Sequence, residues 1–271
     1  MTSMEMRPLA MLPEMLLFGG GLICLLGGSF TPRTGQWRMR VVAATALLAS
    51  VVAALAAAGS PTTAFEGAFA VDVATTTARV VAAVATLIVL VLAADEVPGD
   101  PRESETYALL LFATTGVLVL AGARDLLVLA VGFLLASLPL YALVGLGRTG
   151  RAAEAALKTY LVGALFGILL LLGVSLLYGV GATTSYPELA DALAGAPAPV
   201  LAAGVMGVIG GLPRQAGRRS PALWGPRAAQ GAGGPGPGAA SGGEERPAPG
   251  PPVRGGGEPF REPVEDGVAA L

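Results

Sequence analysis

Apolar residues along this chain gather into runs closed by short polar stretches. About twenty residues of α-helix cross a hydrocarbon core about 30 Å thick. Six runs of about this length fall near residues 10–29, 41–58, 77–94, 106–122, 125–146 and 156–178, with a shorter one at 198–212. The pattern predicts an all-α, multi-pass transmembrane helical bundle of six to seven spans. The stretches 59–76 and 180–197 are read as connecting loops. The first run has no positively charged n-region, contains Glu14 and precedes further spans, so it is read as a retained helix rather than a signal peptide.

The pattern stops at Leu212. Residues 213–271 hold 14 Gly and 11 Pro among 59 positions and show no apolar period. Such a composition buries too little surface to offset the entropy of ordering, so a disordered tail is expected. The chain therefore divides into a transmembrane part, 1–212, and a low-complexity tail, 213–271. Two origins account for the tail equally well: a solvated extension, or GC-rich codons translated out of frame after Leu212.

Composition agrees with a membrane protein. Hydrophobic residues make up 54% and charged residues 13%, with mean hydropathy +0.68, where a soluble domain carries about 25% charged residues. The net charge of −2 and the lack of a basic tract argue against a nucleic-acid partner and leave the lipid bilayer as the surrounding medium. Cys24 is the one cysteine and there is no histidine, which removes disulfides, haem, zinc and histidine acid–base chemistry from consideration. Any chemistry falls to carboxylates and to Lys158, the single lysine.

Arginines mark alternate loops: Arg33, Arg38 and Arg40, then Arg102, then Arg148 and Arg151. The positive-inside rule makes those loops cytoplasmic and puts the N-terminus outside, in the inner (plasma) membrane of a cell. Glu66, Asp72, Glu188 and Asp191 then face outward, while Arg79 and Arg124 run against the rule.

Several short motifs occur in order. Glu105-Thr106-Tyr107-Ala108-Leu109-Leu110-Leu111 opens the fourth span; Gly132 to Tyr141 contains Ser137-Leu138-Pro139-Leu140; Glu154-Ala155-Ala156-Leu157-Lys158-Thr159-Tyr160 opens the sixth. Leu12-Pro13-Glu14 and the Phe69 to Asp72 step lie upstream. Together these resemble the antiporter-like membrane subunits of proton-translocating NADH:quinone oxidoreductase (complex I), most of all its subunit N branch, over about residues 10–212.

The resemblance implies the N-terminal part of a membrane-arm subunit that contributes to proton translocation coupled to electron transfer from NADH to quinone. It implies other complex I membrane subunits as partners. No cofactor is expected in this chain; quinone, flavin and iron–sulfur clusters are implied in partner subunits, and no catalytic redox site is expected here. Two departures stand out. Leu134 occupies the place of the family's helix-five glutamate, and in the tail Gln215 and Arg227 fall where the family has a lysine and an aspartate, with Trp224, Pro226 and Gly231-Ala232 echoing the motif. Two alternatives stay open: a subunit of a multi-subunit cation/proton antiporter, and a non-pumping structural or inactive membrane component.

The proton-path candidates are Lys158 and, second to it, Glu154. Taken as residues they form an i,i+4 ion pair, acid first, about one and a half turns into a helix, with the lysine snorkelling outward. The resemblance carries Lys158 over as a channel lysine, whose proton affinity desolvation would tune. Glu14, beside Pro13 in a first helical turn, is expected to interact with the helix dipole. Asp125 is expected to cap the fifth span, Pro139 to kink it, and Ser137 to cap the carbonyl that the proline frees. The glycines at 19–21 and 27–28 are expected to let helices approach closely.

Overall fold

The computed structural model describes residues 8–32, 35–59, 62–93, 102–147 and 149–212. Both the tail expectation and the positions 215 and 227 lie outside these residues. A short 3-10 turn, Pro8–Met11, leads into α1 (Leu12–Phe30), followed by α2 (Trp37–Ala56), β1 (Thr62–Ala64), β2 (Phe69–Val71), α3 (Val73–Leu92) and α4 (Glu103–Gly122). Then come α5 (Leu126–Gly145), α6 (Gly150–Gly181), α7 (Tyr186–Ala192) and α8 (Ala198–Gly211). Six helices, α1 with its preceding turn and α2 to α6, are long and apolar enough to cross a membrane. The chain is a multi-pass transmembrane helical bundle.

The predicted spans coincide with these helices to within a few residues, except that α6 opens at Gly150, six residues ahead of the apolar run. Two stretches read as loops are structured. The segment after α2 forms an antiparallel hairpin, Thr62 opposite Val71 and Ala64 opposite Phe69, turned through Phe65, Glu66 and Gly67, all at positive φ. The segment after α6 carries α7. Three-residue strands and a seven-residue helix are too short to show a periodicity, so hydropathy alone could not have found them.

Helix starts follow local chemistry. Asp125, as expected, accepts from Leu127 N at 2.7 Å and Val128 N at 3.4 Å to cap α5, and the Asp72 carboxylate likewise accepts from Thr75 N at 2.7 Å to cap α3, which the sequence reading did not name. Thr149 Oγ1 accepts from Ala152 N at 3.1 Å to cap α6.

Contacts between helices fix two ends of the bundle. Gly20 of α1 lies so near α2 and α4 that a Cβ there would stand 2.6 Å from Ala46 Cβ and 3.0 Å from Leu111 Cδ2. At Gly28 a Cβ would meet Ser104 Oγ at 2.1 Å. Gly20, Gly21 and Gly28 thus act as the close-approach residues the sequence suggested, and α1 runs antiparallel to both α2 and α4. The starts of α1, α3 and α5 share one end with the hairpin and α7, the hairpin end. The starts of α2, α4 and α6 share the other, with Arg38, Arg40, Arg102 and Arg151, the arginine end.

The tightest junction joins α4 to α5. A Cβ on Gly116 would fall 2.1 Å from Ala136 N and 2.5 Å from the Leu135 carbonyl carbon. That peptide is the one disturbed by Pro139: lacking an N–H, the proline leaves the Leu135 carbonyl without its intrahelical donor. The Ser137 hydroxyl donates to the Phe133 carbonyl at 2.7 Å, one turn back along its own helix, the carbonyl that a serine in a helix commonly reaches.

The seventh apolar run forms α8, 14 residues or about 21 Å of helix. It packs on α6 through small residues, with Gly204 and Gly207 against Gly173 and Leu177, and Gly211 against Leu170 and the Phe166 carbonyl.

Candidate functional site

Lys158 lies on α6, eight residues after Gly150, so it stands more than two turns into the helix rather than one and a half. Its depth in the bundle is nevertheless small. Ala156 of α6 is level with Gly145, the last residue of α5, where the two would meet at 3.2 Å if Gly145 carried a Cβ. Lys158 is two residues, about 3 Å, inward of that level. The first turn and a half of α6 projects beyond α5, and Lys158 lies just inside the arginine end.

Lys158 and Glu154 form the i,i+4 ion pair expected of them, with the ammonium donating to the carboxylate. Both side chains are open, Lys158 at 44% and Glu154 at 62%, on a face that continues through Leu161, Leu165, Ile168 and Leu172. Leu134, at the place of the helix-five glutamate, is also on an outward face, 39% exposed. From the level of Lys158 to that of Leu134 is nine residues, about 13 Å along the axis. The structure does not join these positions into one site.

The arginine end carries a second polar group that the motifs contained but did not reveal as a unit. Tyr107 Oη donates to Glu103 Oε1 at 2.9 Å, both side chains buried, and Arg40 of α2 reaches the same phenol. Arg102 Nη1 donates to the Leu146 carbonyl at 2.8 Å, tying the start of α4 to the end of α5.

The largest departure from expectation lies at the hairpin end. Glu14 stands in the first turn of α1, as expected, and it has a second partner that the sequence reading did not name. Arg79 of α3 donates from Nε to Glu14 Oε1 at 2.7 Å and from Nη2 to Glu14 Oε2 at 2.8 Å, a bidentate pair that Nη2 extends to the Ala10 carbonyl at 3.0 Å. Arg79 is 0% and Glu14 3% exposed. The Phe69 ring of β2 lies with its centroid 5.4 Å from the guanidinium carbon, a cation–π contact that covers the pair from the hairpin side. Two charges in apolar helices 65 residues apart were the available signal, since charges at membrane depth either pair or face water. Arg79 is thus neutralised within the fold and is no loop cation.

Between the two ends, Thr86 of α3 and Thr114 of α4 face each other with hydroxyls 2.7 Å apart. Asp125 does more than cap. The segment around it pairs with the α6–α7 link, Leu126 N donating to the Thr184 carbonyl at 2.9 Å and Tyr186 N to the Arg124 carbonyl at 3.0 Å. Tyr186, outside the spans, has its phenol pushed up to about 12 by burial, with the Asp125 charge adding to it.

The geometry thus shows separate polar clusters set in an apolar bundle, and comparison with known proteins says what such a bundle is. Residues 123–237 match the family described as NADH:quinone oxidoreductase/Mrp antiporter, TM, a match that runs from the start of α5 past Leu212. The chain is 55% identical over 228 residues to the NADH-quinone oxidoreductase subunit N of Mycobacterium sp. (strain JLS), covering 84% of this chain and 49% of that protein. It is 41% identical over 229 residues to NADH-quinone oxidoreductase subunit N 1 of Streptomyces griseus, covering 84% of this chain and 49% of that one. Among solved structures, respiratory complex I from Thermus thermophilus with bound aureothin contains a chain that superposes with a TM-score of 0.67 at 28% identity, over 81% of this chain and 47% of that one. A chain of the membrane-bound sulfane sulfur reductase, an archaeal respiratory membrane complex, shares the fold with a TM-score of 0.72 at 21% identity, over 82% of this chain and 47% of that one. The chain spans about half the length of the curated relatives it matches. From the ordered motifs, the six-span bundle and these likenesses together, the chain belongs to the antiporter-like membrane subunits of NADH:quinone oxidoreductases, and within that family it is similar to subunit N.

Proposed function

We propose that the chain serves in the membrane arm of a proton-translocating NADH:quinone oxidoreductase, beside other membrane subunits of that complex. The observation that carries this reading is the 55% identity to a subunit N over 228 residues, 84% of this chain. The redox chemistry belongs to partner subunits, which would hold flavin and iron–sulfur clusters and reduce quinone. The chain would sit in the inner (plasma) membrane with its arginine end cytoplasmic and its N-terminus outside. That orientation is supported by Arg38, Arg40, Arg102 and Arg151 at one end, against Glu66, Asp72, Glu188 and Asp191 at the other.

Within this reading Lys158, with Glu154 beside it, is the residue that modulates a proton path. Its position one helical face away from any described partner but Glu154 suits an amine that another helix or subunit covers; once covered, desolvation would lower its proton affinity. A second reading is favoured by Leu134: taken alone, the chain is a non-pumping component. Among the described residues apolar side chains, Leu90 and Leu111 among them, lie between the threonine pair and the arginine end, so no continuous chain of titratable groups crosses the bundle.

Proton flux separates the readings. Liposomes containing only this chain should show background flux, unchanged by Lys158→Ala. In membranes where the chain is assembled with its partners, NADH-driven acidification should fall in the Lys158→Ala variant and stay low in Lys158→Arg, whose guanidinium keeps its proton. Lysine-dependent flux through the chain alone would refute the non-pumping reading, and unaltered NADH-driven pumping in the variant would remove Lys158 from the path.

A further inference from the structure

The core shared by α1, α2, α3 and α4 contains two polar atoms that are buried and have no hydrogen-bond partner among the described residues: Arg79 Nη1 and Ser50 Oγ. Arg79 is 0% and Ser50 1% exposed. Nη1 holds two N–H donors that the bidentate contact with Glu14 does not use, and a serine hydroxyl can both donate and accept. Buried groups of this kind are normally satisfied by protein or by ordered water.

The two atoms share a seam. On α2 the buried stripe is Ala43, Leu47, Ser50 and Ala54, and on α3 it includes Arg79, Ala83 and Leu90, so both residues face the same core. Their depths are close. Ala46 faces Gly20; Ser50 is four residues from Ala46 toward the hairpin end, and Glu14 is six residues from Gly20 in the same direction. Ser50 therefore lies about two residues, or 3 Å, deeper than the Glu14–Arg79 pair. Thr86 and Thr114 come next, Thr86 standing seven residues beyond Arg79, about 10 Å along α3. Each threonine hydroxyl keeps acceptor capacity after its bond to the carbonyl one turn back, to Ala82 at 2.9 Å for Thr86 and to Leu110 at 2.8 Å for Thr114.

We propose that this seam is an internal water site, in which water bound to Arg79 Nη1 and Ser50 Oγ joins the Glu14–Arg79 pair to the Thr86–Thr114 pair. The water accepts from Nη1 and exchanges a hydrogen bond with the serine hydroxyl, and a further water reaches the threonines. The Phe69 ring over the guanidinium closes the seam at the hairpin end. Leu90 and Leu111, at 1% and 0% exposure, close it toward the arginine end. The result is a wet pocket headed by a carboxylate and blocked halfway through the bundle. It hydrates the first four helices without conducting across them, and it stands whether or not the chain takes part in pumping.

Water-edited solid-state NMR on the whole chain in liposomes, labelled with 15N-arginine and 13C-glutamate, tests this directly. The Arg79 guanidinium is identified by its dipolar contact with the Glu14 carboxylate carbon, and the exposed Arg124 serves as the reference for rapid transfer from water. The Arg79 Nη signal should build up from water in the wild type although the side chain is fully buried. In Ser50→Val that build-up should be lost while the Arg79–Glu14 contact persists, and Ser50→Thr, which restores a hydroxyl, should regain it. An Arg79 signal that receives nothing from water in the wild type, or one that Ser50→Val leaves unchanged, would overturn the proposal.

Discussion

Glu14 and Arg79 clamp α1 to α3 through two hydrogen bonds of 2.7 and 2.8 Å between side chains that lie almost wholly out of solvent. Removing one partner of a buried pair strands the other charge, which costs about 3–5 kcal/mol, whereas replacing both by apolar residues of similar size is close to neutral. Glu14→Leu and Arg79→Met should therefore each lower stability in a denaturation series in detergent by amounts of that order. The double variant should recover most of the loss. Two single variants whose effects simply added would show that the pair is not coupled as the geometry has it.

Gly116 is the second point of high sensitivity. The backbone of α5 occupies the space a side chain would need, with Ala136 N only 2.1 Å from the position of a Cβ. Backbone cannot rotate out of the way as a side chain can, so Gly116→Val should force α4 and α5 apart and cost at least the 1–3 kcal/mol typical of overpacking. Gly150→Ala, where a Cβ meets nothing within 4 Å, is the control and should leave the melting temperature in detergent unchanged.

Much of this was legible in the sequence because a membrane span is a long signal. Twenty apolar residues leave little room for error, and all six spans emerged in order. Asp125 was legible as a cap because acid residues just before an apolar run have few other roles. Glu14 was legible as a first-turn acid of α1, but its partner Arg79 was not, because it lies 65 residues away and was visible only as an arginine at the wrong end. The hairpin and α7 were missed because short elements are stabilised by what they pack against, Phe69 on Gly122 and Leu189 on Gly181, and not by a period of their own. Lys158 and Glu154 were read as a pair and are one. Whether that pair works in proton transfer depends on what covers it, which no local pattern encodes.

Asp72 offers a pH test outside the membrane spans. The Thr75 backbone N–H it accepts holds its carboxyl below the ordinary aspartate range. A group depressed in the folded state stabilises above its unfolded value and loses that contribution as pH falls through the folded one. The wild type should lose the cap only when acidified below the usual carboxylate range. Asp72→Asn should keep most of the stability at neutral pH but lack this acid-dependent component, and Asp72→Ala should lose about 1 kcal/mol at neutral pH. Thermal melts from pH 7 downward would show a converging pair of curves for wild type and Asp72→Ala at low pH.

The placement of charge at the two ends predicts the sidedness of the chain. A reporter fused after Arg40 or Arg151 should report the cytoplasm, and one inserted at Glu66, in the hairpin turn, should report the outside. The opposite result at both kinds of site would invert the orientation. The Glu14–Arg79 clamp makes a further point: Arg79→Gln should leave the topology unchanged, since its charge is already neutralised within the fold.

The most direct test of the account is whether this chain is held in an NADH-oxidising complex. The chain, tagged and expressed in the membranes of its own cell, is purified in mild detergent, and the eluate is assayed for NADH oxidation by an artificial electron acceptor and by quinone. Flavin and iron–sulfur signals and both activities should co-elute with the chain at a constant ratio through a second, sizing column. A chain that elutes free of NADH-oxidising activity, alone or with membrane subunits that carry no flavin and no iron–sulfur cluster, would contradict its assignment to the membrane arm of an NADH:quinone oxidoreductase.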